Sequence, residues 1–227
     1  MLRVLLVVSV LIIVFTLRIW SILPRNSTTV SPWINRNSKT RKLAVFLGSG
    51  GHTSEALALL SALDFERYSP RIYIVGEGDH LSAQKAVALE NAKSTSSQSP
   101  PSYTIMTIPR ARKVHQSILT TPVTAFVSLL KCIHYVSIQP LLSSNFKFAD
   151  VLLLNGPGTC FVLCVAVYIN KIFGLPCPIM LYVESFARVK KLSLSGKMLR
   201  YLVDRFVVQW PQLLNDGKRG ECHGWLV

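Results

Sequence analysis

Gly48-Ser49-Gly50-Gly51-His52-Thr53 stands directly after the apolar run 43–47. Glycines let a backbone come close to a ligand, and a helix starting here would turn unpaired N–H groups toward an anion. The segment therefore suits phosphate. It is not the dinucleotide fingerprint, because Gly51 follows Gly50 at once instead of three residues later. Nor is it a P-loop, since no Lys-Ser/Thr pair follows. His52 can act as a base, touch the anion or cap the helix. A tight turn with no ligand uses the same residues.

Three further segments carry comparable chemistry. Asn155-Gly156-Pro157-Gly158-Thr159 follows the apolar run 151–154. Its two glycines around Pro157 make a rigid, open turn, and Thr159 is placed to cap the next helix; a plain strand-to-helix turn is the alternative. Glu184-Ser185 ends the run 179–183. The Glu184 carboxylate can bind a sugar hydroxyl, act as a base, cap a helix or pair with Arg188. Pro109-Arg110-Ala111-Arg112-Lys113 precedes Gln116-Ser117. Alternating guanidinium groups suit a pyrophosphate or anionic headgroups, and a solvated loop is the other reading.

These segments need a scaffold. Strands are expected at 43–47, 71–75, 103–108, 151–154, 179–183 and 206–209. Helices are expected at about 52–63, 79–92, 117–135, 160–173 and 195–203, with a Ser/Pro-rich flexible loop at 93–102. Fully apolar strands alternating with helices imply a Rossmann-like α/β fold, a parallel sheet covered on both faces. In such a sheet, ligands sit beyond the C-terminal ends of the strands. Segments 48–53, 155–159 and 184–185 all fall there.

The chain has 227 residues and a formal net charge of +14. No acidic residue precedes Glu55, while Arg3, Arg18, Arg25, Arg36, Lys39, Arg41 and Lys42 do. Residues 4–23 are apolar apart from Arg18 and a few small polar residues, and about 20 residues suffice for a membrane-spanning helix. Arg18 is expected to snorkel and Trp20 to mark the interface. The absence of a small-x-small cleavage site favours a retained anchor over a signal peptide. Arg3 precedes the span, whereas Arg25, Arg36, Lys39, Arg41 and Lys42 follow it, which places the body in the cytosol. Asn26-Ser27-Thr28 would then be an unused glycosylation acceptor. No RNP-like, zinc-finger or homeodomain pattern accompanies the charge, so nucleic acid is not an expected partner. The 5 cysteines show no CxxC spacing, so no metal site is expected and a reducing compartment fits.

LAVFLGSGGHT at 43–53, IPRAR at 108–112, NGPGTC at 155–160, LYVES at 181–185, LSLSGK at 192–197 and DRFVVQWP at 204–211 occur in this order. Together they resemble the membrane-anchor subunit of the dolichol-linked UDP-N-acetylglucosamine transferase. The resemblance implies the N-terminal half of a two-domain GT-B glycosyltransferase, preceded by one transmembrane helix. It divides the chain into an anchor at 1–23, a basic linker at 24–41, an acceptor-binding domain at 42–211 and a tail at 212–227. A small cytosolic catalytic subunit would bind the donor UDP-N-acetylglucosamine, with no cofactor held by this chain. The acceptor would be dolichyl-pyrophosphate-N-acetylglucosamine at the endoplasmic reticulum membrane, with the nuclear envelope as an alternative site.

In that frame Gly48, Ser49, Gly50, Gly51, Thr53, Arg110 and Arg112 contact the acceptor pyrophosphate. Asn155, Gly156, Gly158 and Thr159 line the substrate rim, and His52 and Glu184 are the candidate catalytic residues. The family's partner-docking ending is represented here only by Gly224, Leu226 and Val227, so docking is assigned to Trp225, Leu226 and Val227. Two rival functions are a non-enzymatic membrane scaffold, in which the Gly-rich turn is dispensable, and a membrane-bound nucleotide-cofactor oxidoreductase. The oxidoreductase needs a GxGxxG turn that is not here, although Glu77 or Asp79 could serve as its ribose-binding acid.

Overall fold

A computed structural model describes residues 1–24, 38–94, 102–112, 116–117, 119–143, 146–156 and 158–227. Most of the basic linker, the Asn26 acceptor, most of the Ser/Pro-rich loop, Lys113 and Pro157 lie outside the described residues. The chain begins with α1 (Leu2–Ile22), whose side chains are mostly exposed and whose Arg3–Ile22 stretch is long and apolar enough to cross a membrane. Arg18 does not simply point outward. Its guanidinium donates to the carbonyls of Lys171 at 2.7 Å and Ile172 at 3.1 Å, in the last turn of a helix, where carbonyls lack their usual intrahelical partners four residues on.

The body alternates β1 (Leu43–Leu47), α2 (Gly51–Ser61), β2 (Arg71–Gly76), α3 (His80–Ser94) and β3 (Tyr103–Ile108). Next come α4 (Thr121–Ile133), a π-helical turn (His134–Ile138) and α5 (Gln139–Leu142). They are followed by β4 (Val151–Asn155), α6 (Thr159–Phe173), β5 (Ile179–Val183), α7 (Leu194–Leu199) and β6 (Arg205–Val208). A 3₁₀ turn (Pro211–Leu214) leads to β7 (Glu221–Cys222). All seven strands are parallel, in the order β3-β2-β1-β4-β5-β6-β7. The sheet is doubly wound: it grows outward from β1 to β3, then returns to β4 beside β1.

Alternate side chains of each strand enter two separate cores. Ala44, Phe46, Ile72, Ile74, Leu152, Leu154, Met180 and Tyr182 face the side covered by α4, α6 and α7. Leu43, Val45, Leu47, Tyr73, Val75 and Leu153 face α2 and α3. Burial on both faces is why these strands read as unbroken apolar runs. Burial also pushes the Cys164 thiol up to about 12, which leaves it inert.

The expected helix at 117–135 extends to Leu142 through the π turn. Pro140 has no N–H to give the carbonyl of Val136. The buried Asn170 supplies that donor instead, its Nδ2 lying 3.1 Å from Val136 O. Thr121–Leu142 is also long and apolar enough to span a membrane, but Ser128, Cys132 and Val136 are buried. The last helix is shorter than expected, ending at Leu199.

The tail differs most from expectation. It is a seventh strand and not a detached extension. Arg205 pairs with Glu221, Arg200 with Asp216, and Arg219 donates to the carbonyls of Arg200, Val203 and Asp204. Trp225 packs on Phe186 and Trp210, with ring centroids 5.9 and 5.5 Å apart, and the Leu226 N–H bonds Gln209 Oε1 at 3.1 Å. Trp225, Leu226 and Val227 nevertheless remain exposed.

Candidate functional site

β1 has β2 on one side and β4 on the other, so the chain reverses direction across the β1–β4 seam. A cleft of about 550 Å³ opens above the C-terminal strand ends there. Gly48, Ser49, His52, Arg110, Arg112, Gly156, Gly158 and Thr159 line it, as does Arg188. The separation in sequence between the Gly-rich turn, the Arg loop and the 155–159 turn is thus removed by the topology.

Each wall has a physical reason. Gly50 (φ 67°) is the N-cap of α2 and Gly158 is the N-cap of α6; neither helix start has a side-chain cap. Both helices are therefore free to offer N–H groups to an anion. Arg110 lies along Gly76, where a Cβ would stand 3.1 Å from its Cγ, and its guanidinium sits 3.9 Å from Asp79. Arg112 donates to Gln116 O at 3.0 Å. With Arg188 exposed on the far wall, the cleft carries three guanidinium groups against the carboxylate of Asp79.

Several expected site residues have other duties. Thr53 is buried, and its hydroxyl bonds Gly48 O and, at 2.6 Å, Ser82 Oγ. It clamps the Gly-rich turn from behind and does not line the cleft. Thr159 is not the helix cap; its Oγ1 accepts the Ala111 N–H at 3.3 Å, tying the Arg loop to α6. Gly50 and Gly51 are exposed and do not line the cleft themselves, and a Cβ on either would meet no neighbouring atom within 4 Å, whereas Gly48 and Gly156 are pressed together.

Glu184 is also redirected. Its side chain is 1% exposed and does not line the cleft. One carboxylate oxygen accepts the Ser185 N–H at 3.1 Å; the other accepts the Ser193 N–H at 3.0 Å and Ser193 Oγ at 2.9 Å. Ser193 in turn caps α7 through the Gly196 N–H. Of the sequence readings of Glu184, the helix-anchoring one matches this geometry. Burial, with Glu184 nearby, pushes the neighbouring Tyr182 phenol up, so it stays protonated.

His52 lines the cleft, and its Nδ1 lies 2.8 Å from Oδ1 of the fully buried Asn155. Asn155 Nδ2 donates to Glu55 at 3.0 Å, and Ser185 Oγ donates to the other Glu55 oxygen at 2.8 Å. Glu55 was not apparent from sequence. Its one signal is its place three residues after His52, on the same helical face. Among the described residues no three His, Cys, Asp or Glu side chains gather as metal ligands would.

The family model "Oligosaccharide biosynthesis protein Alg14 like" matches residues 43–226. The UDP-N-acetylglucosamine transferase subunit ALG14 of Cryptococcus neoformans is 51% identical over 174 residues, 74% of each chain. The subunit of the same name from Schizosaccharomyces pombe is 50% identical, covering 81% of this chain and 82% of its own. MurG from Acinetobacter baumannii aligns with a TM-score of 0.43 and 16% identity, over 75% of this chain and 41% of that one. The matched region contains every wall of the cleft, and the chain belongs to the Alg14 family of oligosaccharide biosynthesis proteins.

Proposed function

We propose that this chain is the acceptor-side half of a UDP-N-acetylglucosamine transferase that extends dolichyl-pyrophosphate-N-acetylglucosamine by a second sugar. The observation that carries the proposal is the cationic cleft at the β1–β4 seam, with His52 on its wall. Arg110, Arg112 and Arg188 are the groups to hold the pyrophosphate, with the start of α2 adding N–H donors. The relatives' name, transferase subunit, supports a second chain that brings the donor. α1 anchors the body to the endoplasmic reticulum membrane, on the cytosolic side, where a lipid-borne acceptor is at hand. The exposed Trp225, Leu226 and Val227 extend the docking surface to that second chain.

The chemistry is a displacement at the anomeric carbon. His52 Nε2 takes the proton of the acceptor hydroxyl, whose oxygen forms the new glycosidic bond. The bond from the anomeric carbon to the diphosphate oxygen breaks, and UDP leaves with the electron pair. The test is transfer from UDP-N-acetylglucosamine to a lipid-pyrophosphate acceptor by the purified chain, with and without the soluble partner. Transfer only with both chains is expected. Robust transfer by this chain alone would refute the split, and intact bodies in protease-treated sealed microsomes would refute the orientation.

A further inference from the structure

His52, Asn155, Glu55 and Ser185 form one hydrogen-bonded line leading away from the cleft. Its polarity can be read from its far end. An ionised carboxylate only accepts, so Glu55 must face the NH₂ of Asn155. The amide oxygen of Asn155 is then the atom turned to His52, at 2.8 Å. An oxygen acceptor requires a donor, so Nδ1 of His52 carries a proton. Nε2, with no protein partner among the described residues, keeps its lone pair when the ring is neutral.

We propose that Glu55, acting through Asn155, holds His52 as the Nδ1–H tautomer and so makes Nε2 the basic atom of the cleft. Glu55 and Asn155 are positioning residues: Asn155 is fully buried and neither lines the cleft. Ser185 fixes the second oxygen of Glu55, which keeps the carboxylate aligned. A neutral amide between carboxylate and ring passes on orientation without placing a negative charge against the imidazole. The inference rests on the reading of His52 as the base for the acceptor hydroxyl.

The test uses the full chain in detergent micelles with ¹⁵N-labelled histidine rings, the His52 signals being identified by their loss in His52→Gln. Native protein is expected to show a protonated Nδ1 and an unprotonated Nε2. In Glu55→Gln the Asn155 amide is free to turn over, and the spectrum should move toward the Nε2–H form. Transfer in the reconstituted two-chain enzyme should then fall about tenfold or more in kcat, the usual scale for disturbing such general-base chemistry, at unchanged acceptor KM. The double variant Glu55→Gln/Asn155→Asp places a carboxylate directly on Nδ1 and should restore both tautomer and rate. An Nε2–H native ring, a tautomer indifferent to Glu55→Gln, or no recovery in the double variant would overturn the proposal. Ring spectra test the relay, whereas the His52→Ala rate tests the base reading, so the two fail separately.

Discussion

Gly48 and Gly156 meet backbone to backbone across the β1–β4 seam: a Cβ on Gly156 would stand 3.2 Å from the Cα of Gly48. A Cβ on Gly48 would stand 2.8 Å from His52 Cβ and 3.0 Å from the carbonyl oxygen of Asn155. Gly156 also sits at φ +145°, a region few other residues adopt. Gly48→Ala should therefore displace His52 from Asn155, lose most transfer and cost about 1–3 kcal/mol, the range for overpacking. Chemical denaturation and transfer assays check this; native stability with full transfer would mean the seam has slack.

Gly50 and Gly51 read alike in the sequence but differ in the structure. Gly50 has φ +67°, Gly51 has no such conformation, and a Cβ on either would meet no neighbouring atom within 4 Å. Gly50→Val should lose transfer and also stability, by about 1–3 kcal/mol for the strained backbone. Gly51→Val should lose transfer with little change in melting temperature, because its added side chain meets only an incoming ligand. Both should still bind the partner. Full transfer in a Gly51→Val variant would place the pyrophosphate elsewhere.

His52→Ala separates two roles. An anion contact or helix cap, two of the three roles open to His52 in the sequence, should cost roughly tenfold or less, about 1.4 kcal/mol. The bond to Asn155 gives His52 an oriented ring, and a general base so held should cost about 100-fold or more. The larger loss, mainly in kcat, is the expected outcome. A tenfold loss confined to acceptor KM would assign His52 to anion binding.

The strands at 43–47 and 179–183 are legible because burial from both faces leaves no polar alternation to misread, whereas the edge strand at 103–108, with Thr104, Ile105 and Thr107 exposed, is legible from its β-branched and aromatic residues. The Gly-rich turn and Arg loop were legible because few structural roles need those residue types together. Glu55 was not, since its partners Asn155 and Ser185 lie 100 and 130 residues away in sequence. Glu184 stands among the catalytic candidates in the sequence, and its anchoring contacts are hidden there for a similar reason: two of its three donors come from Ser193, nine residues on, in a turn with no periodic pattern. β7 is invisible in the sequence because a strand of two residues carries no strand signal, and ion pairs hold its segment, Arg205–Glu221 to β6 and Arg200–Asp216 to the end of α7.

Those ion pairs predict acid sensitivity. Hydrogen bonds from Arg205 hold the Glu221 carboxyl below its usual range, and hydrogen bonds from Arg200 do the same for Asp216. A carboxyl depressed on folding stabilises the fold above its unfolded pKa, about 4, and loses that contribution as pH falls through the lower folded value. The tail should therefore stay docked at neutral pH and loosen only below about pH 4. The indole NMR signals of Trp210 and Trp225 report it; loosening on raising the pH instead would contradict the assignment.

On the proposed function the cleft holds the acceptor and not the donor. The most direct measurement is the pair of KM values of the reconstituted two-chain enzyme carrying Arg110→Gln and Arg188→Gln. Losing two charge-assisted contacts should raise the KM for the lipid-pyrophosphate acceptor about tenfold or more, leaving the KM for UDP-N-acetylglucosamine unchanged. A raised donor KM with an unaltered acceptor KM would assign the cleft to the donor and overturn the proposed function.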